Sequence, residues 1–174
     1  ALKTEIEQNF KVKVYVAALD VQDFTQTQRV LTIATQQLGD IDKVIVNAGI
    51  GSGGRIGEDN AFNLARDVIN TNVIGAIASI NAAVQLFRQQ GHGHIVAISS
   101  VAAYRGLPGT SVYSASKRAI STYTEALRVE THNENIDVTL LSPGYIDTPL
   151  NQGMANRPFL IDSRESYFPE RLNP

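Results

Sequence analysis

The sequence predicts an α/β fold built on a parallel sheet. Three apolar segments carry this expectation: Asp42-Lys-Val-Ile-Val-Asn-Ala-Gly49, His94-Ile-Val-Ala-Ile-Ser-Ser100 and Ile136-Asp-Val-Thr-Leu-Leu-Ser-Pro-Gly144. Each is a short run of β-formers that ends in a turn of small or polar residues, and helical stretches separate them. Strands covered on both faces read as near-continuous apolar runs, and parallel neighbours need a crossover of about a dozen residues or more. Three such strand ends form one rim of a sheet, the place where open α/β sheets bind their ligands.

Along the chain, residues 3–8 read as the end of a polar helix. Residues 12–19 alternate and are rich in β-formers, so a strand ending at Asp20 is expected there. Asp23 is a suitable N-cap for a helix through Leu38, with Phe24, Val30, Leu31, Ala34 and Leu38 on one side and Gly39 closing it. A strand at 44–46 follows. The loop 50–57 holds four glycines without phosphate-loop or dinucleotide spacing, and reads as a mobile lip of a site. Residues 62–89 are helical, with a break near Asn60, and 73–87 are apolar nearly all round. A helix without a polar face needs cover on two sides. The sheet supplies one, and a partner subunit is the expected second, giving a homodimer or homotetramer. After the strand 94–100, a loop with Gly106, Pro108 and Gly109 leads to a helix over 113–132 and a strand at 138–141. Pro143 and Pro149 bracket a loop, and the remainder to Pro174 is polar and poorly periodic.

Bulk properties narrow the function. A chain of 174 residues without repeats suggests one domain, and a net charge of −2 offers nothing to nucleic acid or an anionic membrane. The absence of cysteine excludes disulfides and thiol catalysis. No apolar run approaches the roughly 18 residues of a membrane span, and no signal peptide is recognisable, so a soluble, cytoplasmic protein is expected. With Ala1 rather than methionine in front, the chain is expected to begin inside a domain.

The chemistry concentrates in Tyr113-Ser-Ala-Ser-Lys117. Residues four apart on a helix share a face, about 6 Å apart along the axis. An ammonium placed there lowers a phenol's pKa from about 10 towards neutrality, which suits it to exchange a proton with a substrate oxygen. Such pairs also arise by chance, so the neighbours decide. Ser100 lies thirteen residues upstream at a strand end. Alone it reads equally as a turn-capping hydroxyl. His92, His94 and His132 lack metal-ligand spacing and read as surface residues, so no metal is expected. Glu125 and Glu130 read as helix-surface charge.

Six pieces in register resemble the short-chain dehydrogenase/reductase family: Leu19-Asp20-Val21, Val46-Asn47-Ala48-Gly49, Asn72, Ile98-Ser99-Ser100, Tyr113 with Lys117, and Pro143-Gly144-Tyr145-Ile146-Asp147-Thr148. The resemblance covers roughly residues 10–150. It implies a doubly wound sheet of Rossmann type and NAD- or NADP-dependent oxidoreduction between a carbonyl and a secondary alcohol. It also implies roles. Tyr113 would be the general acid/base, Lys117 would tune it and bond the nicotinamide ribose, and Ser100 would orient the substrate oxygen, with Ser99 its competitor. Asn72 would hold a relay water, with Asn70 the alternative match. Asp20 would meet the adenine, an N-cap role being its alternative, and Asn47 would brace the turn beside the adenosine ribose through backbone bonds. The cofactor-binding set so implied is Asp20, Val21, Asn47, Ala48, Gly49, Tyr113, Lys117, Pro143, Gly144, Ile146 and Thr148. Tyr104, Arg105 and Tyr145 border the implied substrate pocket. The family's glycine-rich pyrophosphate turn is missing, so the fold is expected to be incomplete at its N-terminus, with two central strands lacking between 12–19 and 42–46. Rival readings are an isomerase or lyase on the same scaffold, or a non-catalytic remnant acting through helix association.

Overall fold

The computed structural model describes residues 2–51, 55–106 and 108–144. Three strands, β1 (Lys43–Val46), β2 (Gly93–Ile98) and β3 (Ile136–Leu141), form one sheet in the order β1-β2-β3. Both pairings are parallel, with Ile45 opposite Val96 and Val96 opposite Thr139. The predicted α/β class with a parallel sheet is therefore present. The central strand is the most enclosed, Ile95 and Ala97 being fully buried.

The helices are α1 (Leu2–Phe10), α2 (Phe24–Leu38), α3 (Ala61–Ile69), α4 (Ala76–Gln90) and α5 (Ser111–Glu130). Asp23 caps α2 as expected, its side chain accepting from Gln26 N, and Gly39 closes the helix at φ 90°. The expected break falls at Asn60, which enters α3 from the left-handed region at φ 66°. Between α3 and α4 the chain does not stop: a π-helical turn, Asn70–Gly75, joins them into one helix of 30 residues. By length and composition this helix is apolar enough to cross a membrane, a length of run not foreseen in the sequence. Its α4 part lines the core of the described residues. Ile80, Ala83, Val84 and Phe87 share a core with Val46, Ile95, Ala97, Ile120, Leu127 and Ile136.

Two expectations need correction. Residues 12–19 form no strand. A strand exists only where a neighbour completes its ladder, and here backbone donors turn to side chains instead: Val14 N to Glu7 Oε1 and Asp20 N to Gln26 Oε1. The second concerns the cover of α4. Its far side packs against α2 of the same chain, with Gln28 Nε2 donating to Gln85 Oε1 at 2.6 Å. The apolar character of 73–87 therefore does not itself require a partner subunit; Ile74, at 50% exposure, is the large side chain left uncovered there.

Candidate active site

Lys117 is buried at the carboxyl end of β2. Its Nζ donates to Ile98 O at 2.9 Å and lies 5.9 Å from the centroid of the Tyr113 ring. The helical spacing of four thus places the pair together. Burial pushes the Lys117 pKa below its ordinary 10.5, because desolvation penalises the charged form. An ammonium has three donors; the backbone carbonyl takes one.

Strand alternation separates the two serines. Ser99 turns inward, 3% exposed, and bonds Lys117 O at 3.0 Å and Ser121 Oγ at 2.8 Å. Ser100 stands on the rim at the start of a 3-10 turn, Val101–Ala103, which packs on α5. Its Oγ accepts from Ala102 N at 3.1 Å, so the capping role is real. A hydroxyl so engaged keeps its O–H and a second lone pair for a substrate.

Asn72 is 1% exposed, whereas Asn70 stays half-buried. Asn72 Oδ1 accepts from Ile50 N at 2.8 Å, and Nδ2 donates to Ile50 O at 2.8 Å and Ser116 Oγ at 3.1 Å. Ser116 in turn donates to Tyr113 O at 2.7 Å. Ser116 was missed in the sequence, although its offset of three from Tyr113 puts it near the same helix face. Gly49 adjoins this group. A Cβ there would sit 3.3 Å from Asn72 Oδ1 and 3.4 Å from Lys117 Nζ, so the bare backbone leaves room beside both.

Asp20 and Val21 precede α2, Asn47 and Ala48 follow β1, and Pro143 and Gly144 follow β3. Asp20 is exposed and its Oδ1 accepts from Gln22 N at 3.0 Å; the cap of α2 belongs to Asp23, not to Asp20. Asn47 departs from expectation: it is exposed, and its side chain makes no hydrogen bond among the described residues. It follows β1, which has no further strand on its outer side among the described residues to supply backbone for the amide. Pro143 O accepts from Val101 N at 2.9 Å, tying the turn after β3 to the Ser100 turn. Tyr145, Ile146 and Thr148 lie outside the described residues, and the glycine-rich lip is described only in part. Tyr104 is 71% exposed on the rim beside exposed Arg105. His94 is half-buried rather than on the surface, its ring 2.8 Å from Thr139 Oγ1. No metal-ligating cluster occurs among the described residues.

The donor set suits a nicotinamide nucleotide at its ribose end. A buried ammonium with donors to spare matches the acceptor chemistry of ribose hydroxyls, and the bare Gly49 backbone leaves space beside it.

Comparison with known proteins gives this geometry its setting. The family model described as short chain dehydrogenase matches residues 1–158. The chain is 38% identical over 164 residues to an uncharacterized oxidoreductase of Mycobacterium tuberculosis, covering 93% of this chain and 64% of that protein. It is 32% identical over 148 residues to the NADP-dependent 3-hydroxy acid dehydrogenase of Schizosaccharomyces pombe, covering 83% and 56%. The crystal structure of an NAD+-bound xylitol dehydrogenase superposes with a TM-score of 0.78 at 26% identity, over 84% of this chain and 56% of that one. The chain therefore spans less than two thirds of the length of these relatives. The family match runs through every strand and helix described above, and on that ground the chain belongs to the short chain dehydrogenase family.

Proposed function

We propose that these residues form the catalytic part of an NAD- or NADP-dependent oxidoreductase that interconverts a carbonyl and a secondary alcohol. The observation that carries this reading is the buried Lys117 ammonium beside the Tyr113 ring. The nicotinamide and alcohol chemistry of the fission-yeast and xylitol relatives supports it.

A bound nicotinamide supplies the hydride in reduction and accepts it in oxidation. The protein's part is position, proton and field. Tyr113 Oη gives its proton to the carbonyl oxygen in reduction and takes it back in oxidation. The Lys117 charge stabilises the phenolate that this leaves, and its remaining donors hold ribose hydroxyls. Ser100 donates its O–H to the substrate oxygen as negative charge gathers there. Both Asn72 N–H groups are engaged; its remaining Oδ1 lone pair is where a relay water is held. Asp20 and Val21 receive the adenosine end.

The test is nicotinamide absorbance with a panel of ketones, aldehydes and secondary alcohols. Tyr113→Phe should lower turnover by about 10²-fold or more while nucleotide affinity stays within about twofold, since only a proton-transfer hydroxyl is lost. Turnover above about a tenth of the unsubstituted level removes Tyr113 from the mechanism. Absence of turnover by the unsubstituted protein with either nucleotide overturns the whole reading.

A further inference from the structure

The π-helical turn Asn70–Gly75 sits between two segments that the sequence holds far apart. On one side Asn72 grips both backbone groups of Ile50. On the other, Gly75 is buried directly against Val21. A Cβ on Gly75 would lie 2.6 Å from Val21 Cγ2, 3.2 Å from Val21 Cβ and 3.3 Å from Val21 C. The φ of Gly75 is −63°, which any residue adopts, so space rather than backbone conformation calls for glycine here. Thr71 Oγ1, in the same turn, accepts from Gln22 Nε2 at 3.4 Å. π-turns inserted in α-helices widen the helix and recur at functional sites. This one spends its width on aiming Asn72 inward while presenting Gly75 and Thr71 to the Asp20–Gln22 turn.

We propose that the π-turn is a positioning element that couples the Asp20–Val21 turn to Asn72, with Gly75 as its positioning residue. The inference rests on the reading that Asp20 and Val21 receive the cofactor's adenosine end. A methyl on Gly75 must push Val21 away by about 1 Å to reach ordinary contact near 3.5–4.0 Å, or else push the π-turn the other way. The first displaces the nucleotide seat, and the second withdraws Asn72 from Ile50. A residue that merely stabilised the helix would do neither selectively.

The experiment is a double-mutant cycle of Gly75→Ala and Val21→Ala in the full-length protein, with two readouts. One is the KM for NADH and NADPH against kcat. The other is amide exchange at Ile50 relative to the amides of β2. Gly75→Ala should raise nucleotide KM and Ile50 exchange each about tenfold, a size typical of overpacking at a close contact. In the Val21→Ala background the 2.6 Å contact with Cγ2 is gone and only the milder ones at 3.2 and 3.3 Å remain, so the effect of Gly75→Ala on either readout should fall to about twofold. Equal effects in both backgrounds overturn the coupling, and so does unchanged Ile50 exchange in Gly75→Ala. Should Gly75→Ala alone fail to fold, Val21→Ala compared with the double variant decides: a well-folded double variant within about twofold of Val21→Ala supports the coupling, and a larger loss overturns it. If the unsubstituted protein binds neither nucleotide, the oxidoreductase reading fails, while exchange at Ile50 still settles the coupling separately.

Discussion

At Lys117 a single side chain carries both a structural cost and a chemical use. Lys117 is 6% exposed, its ammonium donates to Ile98 O, and no carboxylate pairs with it among the described residues. Its folded pKa lies below the unfolded value of about 10.5. Between those two values the unfolded chain binds more protons, so stability rises with pH across that window. Below the window the charged group is carried at a cost. Replacing Lys117 with methionine removes that dependence. The stability advantage of Lys117→Met should therefore shrink as pH rises towards 10.5, read from denaturant midpoints in a Tyr113→Phe background so that the phenol does not titrate. A pH-independent difference would show that burial does not shift this lysine. Asn72 gives a second case. Asn72→Leu leaves the Ile50 amide and carbonyl and the buried Ser116 hydroxyl without this partner; as Ile50 is 38% exposed and water reaches it, the loss should be about 1–3 kcal/mol, the cost of one unsatisfied buried group. A loss under about 1 kcal/mol, where one net hydrogen bond ordinarily lies, would mean that water replaces the amide.

Among the elements, the long helix decides most of what surrounds the site. Its α4 end seats Phe87, fully buried, over Gly93 at the start of β2. A Cβ on Gly93 would lie 2.1 Å from Phe87 Cγ, so strand and helix approach too closely for any other residue. Gly93→Ala should destabilise by about 1–3 kcal/mol through overpacking, and Phe87→Leu in the same chain should recover part of it. Thermal unfolding of the two variants checks this; a melting temperature unchanged by Gly93→Ala would mean that the core yields at no cost. The loop before β3 is pinned to the same helix by Arg88, whose Nε and Nη2 donate to Glu134 at 2.6 and 2.8 Å. That contact is exposed and orients the loop more than it stabilises the fold.

For the whole molecule, the sheet is covered unequally. Val46, Ile95, Ala97 and Ile136 face the helical core, while Ile45 on the opposite face is 60% exposed and Leu141 47% exposed. The outer side of β1 has no strand neighbour among the described residues. A bare strand edge beside an apolar face templates association. Residues 1–174 prepared alone should therefore self-associate and bind a hydrophobic dye, as light scattering and fluorescence would report. A monodisperse monomer without dye binding would show that this face is already covered.

The sequence by itself determined the α/β class, the three parallel strands, the cap of α2, and the pairing of Tyr113 with Lys117. All of these follow from short-range periodicity, which a linear chain displays directly. It left Ser99 and Ser100 as competitors, and the folded chain separates them by burying Ser99 against Lys117 O and Ser121. Tertiary structure decided the rest. Whether residues 12–19 become a strand depends on a partner ladder that no local pattern encodes. That α2 packs on the far side of α4 is a matter of contact between segments distant in sequence. The π-turn, the grip of Asn72 on Ile50 and the contact of Gly75 with Val21 are likewise invisible in one dimension. Each is set by how closely two backbones approach, and only the folded chain fixes that distance.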